Sequence, residues 1–210
     1  MRVLIIDDHA IVRRGMISLL RESFEDVEVG EAANAKDGIS AVEESLWDLA
    51  VVDISMPGRS GLDLIQEMKR QKPALPILVM SSHSEKDYAL RALKSGAAGY
   101  VAKQSAADVL VTACQRVLSG RRYISPALAE QLAGALAGGN SGATSHERLS
   151  NRELQVLQLI ATGKTIKEIS ADLALSEKTI ATYRSRIAEK MNLSSNVELT
   201  RYAMQHGLVD

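Results

Sequence analysis

Three apolar runs that end in charged residues most constrain how this chain can fold. Val3 to Ile6 runs into Asp7 and Asp8, Leu49 to Val52 runs into Asp53, and Tyr100 to Ala102 ends in Lys103. Short apolar runs separated by helical patterns read as parallel strands buried on both faces, and in open α/β sheets ligands bind beyond the carboxyl ends of the strands. The charged side chains are therefore expected to converge. Three carboxylates in one place repel one another unless a hard cation sits among them, and an oxygen-only set with an incomplete protein shell suits Mg²⁺. Such a site is built for a metal ion and a phosphoryl group.

Five strand candidates, around Val3, Val27, Leu49, Ile77 and Gly99, alternate with amphipathic helical patterns up to Ser119. This alternation predicts an α/β fold, a doubly wound five-stranded parallel sheet. Gly96 stops a helix, Pro73 and Pro76 bracket a loop, and Met56-Pro57-Gly58 with Gly61 marks a turn beside Asp53. After Gly120 the character changes: Ser125 caps a short helix over 126–137, and the Gly, Ser and Asn rich stretch from Gly138 to Ser145 reads as flexible linker. Order resumes with a capping box, Ser150 and Glu153, before a helix that Gly163 closes. Ile166, Ile169, Ser170 and Leu173 line a second helix. Ser176 caps a third, over 177–191, with Ile180, Ile187 and Met191 facing inward, and Ser195 with Glu198 opens a fourth. The prediction is a small all-α four-helix domain whose middle helices form a helix-turn-helix. The expected division is residues 1–119, a linker with a short helix at 120–146, and 147–210.

Composition narrows the setting. A chain of 210 residues with 46% hydrophobic content fills two modest cores, and with aromatics at only 3% those cores must be aliphatic. No apolar stretch is long enough to cross a bilayer, and Asp7 and Asp8 interrupt the first run too early for a signal peptide, so no membrane partner is expected. Lone Cys114 reads as a small buried apolar residue, which fits a reducing cytoplasm. The net charge of −1 hides a local basic cluster, Lys178, Arg184, Arg186 and Lys190 against Glu189, inside the third helix of the last domain.

Leu4-Ile5-Ile6-Asp7-Asp8-His9, Val52-Asp53-Ile54-Ser55-Met56-Pro57-Gly58, Met80-Ser81-Ser82 and Gly99-Tyr100-Val101-Ala102-Lys103 resemble a bacterial response-regulator receiver domain, with a flavodoxin-like sheet. The resemblance implies that Asp53 accepts a phosphoryl group from a phosphohistidine on a sensor histidine kinase. It also implies that Asp8, Asp53 and the backbone carbonyl of Ser55 coordinate Mg²⁺, with Asp7 acting through a bound water. Lys103 would pair with phosphoryl oxygens, Ser81 would donate its hydroxyl to them, and Tyr100 would then turn inward as the switch. One position departs from the pattern: Gln104 follows Lys103 where receivers usually carry a cis proline, so that geometry is not carried over. His9 is a poor match for Mg²⁺ and is read as peripheral, and His83 as a residue at the mouth of the loop.

Leu149-Ser150-Asn151-Arg152-Glu153, Gly163-Lys164-Thr165-Ile166-Lys167-Glu168-Ile169 and Leu175-Ser176-Glu177-Lys178-Thr179-Ile180 resemble the LuxR-type helix-turn-helix, and the two together a NarL/FixJ-type response regulator. This implies phosphorylation-controlled dimerisation and sequence-specific binding to double-stranded DNA. Candidate contacts are Lys178, Thr179, Ala181, Thr182, Arg184, Ser185 and Arg186, and RNA polymerase is a further partner such a regulator can have. Leu199, Tyr202 and Ala203 on the last helix are expected to offer an apolar patch for pairing two copies. The implied protein is a phosphoacceptor rather than an enzyme, able at most to catalyse its own phosphorylation from phosphodonors and its own dephosphorylation. A phosphohydrolase would share the strand-end Asp and Mg²⁺, but it usually carries a second Asp where Ser55 stands. A nucleotide-binding enzyme would need a Gly-rich loop where Asp7-Asp8-His9-Ala10 stands. A regulator that binds DNA without phosphorylation fits the retained acidic set less well.

Overall fold

The structure, a computed structural model, describes residues 1–56, 58, 60–82, 85–105, 107–137 and 145–209. Pro57, His83 and the stretch 138–144, which carry the proline of the turn, the loop-mouth histidine and most of the expected linker, lie outside the described residues. The chain divides into two compact units, Met1–Leu132 and Ala133–Asp210.

In the first unit β1 (Arg2–Ile6), β2 (Glu28–Ala32), β3 (Leu49–Val52), β4 (Ile77–Ser81) and β5 (Gly99–Ala102) form one parallel sheet in the order β2-β1-β3-β4-β5. The crossovers are α1 (Ala10–Ser23), α2 (Ala35–Glu44), α3 (Gly61–Gln71) and α4 (Glu85–Lys94), and α5 (Ala107–Leu118) follows β5. Val3 to Ile6 and Leu49 to Val52 are wholly inside, as central strands covered on both faces must be. Alternate side chains take opposite faces. Val3, Ile5 and Val51 meet Met16 and Leu20 of α1 and Leu110, Cys114 and Val117 of α5. On the other face, a Cβ at Gly38 of α2 would come within 2.6 Å of the Ile6 side chain, so that helix packs directly on β1. Burial pushes the Cys114 thiol up to about 12, so it stays a protonated thiol packed in the core.

Beyond α5 the chain returns to the sheet: Tyr123 forms a parallel bridge with Gly99, which blunts the free edge of β5. α6 (Pro126–Ala137) follows, with Ser125 Oγ accepting from the Leu128 amide at 3.1 Å and donating to Glu85 of α4 at 2.8 Å. Leu128 is buried, so residues up to there pack with the first unit.

The second unit holds a short 3-10 helix (Ser145–Arg148) and the four helices expected, α7 (Asn151–Ala161), α8 (Ile166–Leu173), α9 (Glu177–Met191) and α10 (Asn196–Gln205). Ile180, Ile187 and Met191 face inward as their spacing predicts. Both predicted capping boxes form, and a third, Thr165 with Glu168, opens α8 by the same spacing rule. Among the described residues the last-helix patch is not where the sequence reading put it. Leu199 and Ala203 are fully buried within their own unit, and Tyr202 hydrogen-bonds His146 at 3.0 Å and stacks on His206. Val197 and Met204 are the exposed apolar residues of α10.

Hydrogen bonds from the Ser194 and Ser195 amides and hydroxyls hold the Glu198 carboxyl down at about 2, and the Thr165 amide and hydroxyl lower Glu168. For Glu153, burial alone would raise the carboxyl, but bonds from Lys190 and Ser150 outweigh it and lower it. A depressed carboxyl contributes stability that is fully present above its ordinary value of 4.5 and is lost as pH falls through the folded value. Calorimetric melts at stepped pH are expected to show the second unit losing stability between about 4.5 and 2, with Glu198→Gln flattening part of that slope. An unchanged slope in the variant would contradict the assignment.

Candidate phosphoacceptor site and nucleic-acid interface

The loops after β1, β3 and β5 bring Asp7, Asp8, Asp53 and Lys103 to one end of the sheet. Asp7 and Asp53 are each about 1% exposed, and Asp8 is half-buried. Lys103 Nζ lies 2.7 Å from Asp7 Oδ2 and 2.7 Å from Asp53 Oδ2, bridging the two carboxylates. Burial alone would lower the Lys103 ammonium, but its hydrogen bonds to Asp53 and Asp7 outweigh burial and raise it, so it stays charged. The remaining Asp53 oxygen, Oδ1, accepts from the Ser55 amide at 2.8 Å, and the Ser55 hydroxyl meets that of buried Ser81 at 2.9 Å. A Cβ at Gly61 would sit 2.2 Å from the Ile54 Cα and 2.9 Å from the Asp53 carbonyl, so only glycine lets α3 start this close to the loop bearing Asp53.

Ligand atoms of Asp7, Asp8, His9 and Asp53 all lie within 4.8 Å of one another. Three carboxylates against one ammonium leave the site with excess negative charge. Asp8 Oδ1 is enclosed yet accepts no aligned hydrogen bond, although His9 Nδ1 is 2.9 Å away. An unsatisfied buried oxygen in an anionic cluster is what a hard cation relieves, so the residues present fit Mg²⁺. His9 itself is more than half exposed and caps the start of α1 through its backbone. Lys103 rests between the two carboxylates, and Tyr100 is fully buried. The Lys103–Gln104 bond is trans, and no cis peptide bond occurs among the described residues.

In the second unit α9 presents an exposed stripe of Lys178, Ala181, Thr182, Ser185 and Arg186 at helical spacing. Thr179 and Arg184 are half-buried. Thr179 belongs to the helix cap, its amide and hydroxyl facing Ser176 Oγ, and Arg184 Nε donates to Asn196 Oδ1 of α10 at 2.7 Å. The basic cluster is smaller than its sequence count. Lys190 Nζ lies 2.6 Å from buried Glu153, so it pins α9 to α7 instead of facing a ligand.

A five-stranded parallel receiver fold with a strand-end acidic site, joined to a four-helix unit with an exposed basic helix, defines a two-component response regulator with a DNA-binding output. Residues 3–115 match the response regulator receiver domain, and residues 147–203 match the bacterial regulatory proteins of the luxR family. The chain belongs to this family, in its NarL/FixJ branch. It is 36% identical to response regulator GacA of Pseudomonas aeruginosa, covering 100% of this chain and 98% of that protein. With response regulator UvrY of Escherichia coli K12 the identity is 35%, covering 98% and 94%. Among solved structures, RcsB from Salmonella enterica serovar Typhimurium, bound to promoter rprA in the presence of phosphomimetic BeF₃⁻, is 30% identical with a TM-score of 0.71, covering 96% of this chain and 97% of that one.

Proposed function

We propose that a sensor histidine kinase phosphorylates Asp53 and that this controls dimerisation and sequence-specific binding of α9 to double-stranded DNA. The observation that carries the reading is Asp53 itself, buried at a strand end with one oxygen held by the Ser55 amide and the other by Lys103. Asp8, Asp53 and the Ser55 carbonyl would hold Mg²⁺, with Asp7 acting through water. Bound there, the metal supplies screening between an attacking carboxylate and an anionic phosphoryl group. The chain's own residues do the rest. Lys103 sits between Asp7 and Asp53 and can follow negative charge onto phosphoryl oxygens, while the Ser81 hydroxyl, already inward beside Ser55, is placed to donate to them. The inward Ser81 and Tyr100 arrangement is then the one that phosphorylation favours. By the same chemistry the receiver would take its phosphoryl group from small donors and release it by hydrolysis. We assign the protein to the cytoplasm, where Cys114 stays reduced and RNA polymerase is within reach of DNA-bound dimers; no described helix is long and apolar enough to cross a membrane.

The test is incubation with acetyl phosphate and Mg²⁺, followed by intact mass and a DNA mobility shift on the same sample. A gain of one phosphoryl group with tighter DNA binding is expected; a phosphorylated sample with unchanged DNA binding and sedimentation would refute the control step. RcsB bound to a promoter supports the DNA-binding half of the reading.

For pairing on DNA, the exposed Val197 and Met204 of α10 border a depression of about 510 Å³ whose lining includes Ile160, Lys164 and Arg201. Pairing of two copies through this face joins two half-site contacts into one binding event. Val197→Asp with Met204→Asp is expected to weaken binding to a two-half-site duplex by on the order of 100-fold while single half-site affinity holds. Equal loss on both duplexes would place these residues outside a dimer contact.

A further inference from the structure

The loop that carries Asp7 and Asp8 is held from outside the acidic cluster. β1 ends at Ile6, whose carbonyl is taken by the Asp53 amide, and the Asp7 amide makes the last bond toward β2, to the Ala32 carbonyl at 3.2 Å. β2 itself ends at Ala32, where the chain turns toward the Asn34 cap of α2. The Asp7 carbonyl therefore lies past the end of the ladder. Arg13, one turn into α1, reaches it: Nη1 donates to the Asp7 carbonyl at 2.7 Å, while Nε faces Glu31 Oε2 of β2 at 3.2 Å. The Arg13 side chain is only 15% exposed and Glu31 is 47% exposed, so the guanidinium is an enclosed tie whose far end is anchored at the surface.

We propose that Arg13, held by Glu31, is a positioning residue for the metal site: it fixes the Asp7 carbonyl and through it the directions of the Asp7 and Asp8 carboxylates. A planar guanidinium suits the task because its Nε and Nη donors point in fixed relative directions, bridging a carboxylate and a carbonyl that an ammonium on a flexible stem would hold one at a time. The tie also spans α1, β1 and β2, so the bend after β1 is set by three elements rather than by its own sequence. Partners one bond removed from a metal's ligands characteristically change its affinity by roughly 10- to 100-fold when removed. This inference rests on the assignment of Mg²⁺ to Asp7, Asp8 and Asp53.

The test titrates MgCl₂ into the full-length protein and follows the amide NMR shifts of residues 7–9 and 53–55. Wild type, Arg13→Ala, Glu31→Ala, the double variant and Asp8→Asn are compared. Arg13→Ala is expected to raise the Mg²⁺ dissociation constant by roughly 10-fold or more. Glu31→Ala should raise it less, and the double variant should match Arg13→Ala alone, because Glu31 acts only through the guanidinium. The rate of phosphorylation by acetyl phosphate should fall at low Mg²⁺ and recover at saturating Mg²⁺, a split that general loss of structure would not produce. If Arg13→Ala fails to fold, surface-exposed Glu31→Ala decides: a raised dissociation constant supports the proposal, and an unchanged one overturns it. Wild-type binding that Asp8→Asn abolishes and Arg13→Ala leaves intact overturns the positioning role alone. Absence of any Mg²⁺ response in wild type overturns the metal assignment, and this role with it.

Discussion

Asp53→Asn is expected to abolish phosphoryl incorporation while leaving the receiver folded. The amide keeps the shape and can still accept from the Ser55 amide, as Asp53 Oδ1 does at 2.8 Å, but it offers no anionic oxygen to attack phosphorus. Lys103 would retain Asp7, its second partner at 2.7 Å. Removing one of three crowded carboxylates also relieves repulsion, so the melting temperature is expected to hold or rise by a few degrees, about 1 kcal/mol corresponding to roughly 2–8 °C for domains of this size. Asp7 and Asp8 carry carboxylates in the same pocket, and the variant separates the three. Intact mass after acetyl phosphate treatment should show no added phosphoryl group. Incorporation at the wild-type level would move the acceptor to a neighbouring carboxylate and sink the assignment of Asp53.

The receiver site could be read in the sequence because its parts sit at strand ends. A parallel strand covered on both faces is apolar along its whole length, so the first charged residue after Ile6, Val52 or Ala102 marks both the strand's end and the surface where ligands bind. Helix starts were equally open, since Ser150 with Glu153 and Ser195 with Glu198 are local pairs three residues apart. Contacts between distant segments have no such signal. Nothing in the run Asp7 to Arg13 says that a guanidinium reaches back to a strand-end carbonyl, and nothing near Lys190 says that its partner is Glu153. Nor does spacing choose between faces of one helix. Val197 with Met204 and Leu199 with Ala203 both follow helical periods in α10, and which pair turns inward depends on packing against α7, which the helix's own sequence does not encode.

A division of labour is expected along α9, with cations setting affinity and small residues setting sequence preference. Lys178 and Arg186 stand exposed on the stripe, so removing either should weaken binding to specific and scrambled duplexes alike and lower the salt slope by about one unit. Arg184 would have two tasks on DNA, because its Nε is spent on Asn196 and only its remaining N–H groups are left to meet a phosphate. Arg184→Ala should therefore also loosen α10 from α9 and cost more affinity than Arg186→Ala. Thr182 and Ser185 are exposed, but their hydroxyls donate to the Lys178 and Ala181 carbonyls of their own helix at 2.9 and 3.1 Å. Turned toward a groove, each would present an acceptor oxygen, and Thr182 a methyl group as well. They suit a base amino group or a thymine methyl rather than a purine N7. Thr182→Ala is expected to relax preference at one or two positions carrying such groups, by roughly 1–3 kcal/mol for a strong contact, with the salt slope unchanged. Titrations of each variant against specific and scrambled duplexes over a salt series separate the two effects. If Arg184→Ala or Arg186→Ala erased sequence preference yet left nonspecific affinity and its salt slope intact, the cations would be the base readers and the short residues mere clearance for the helix.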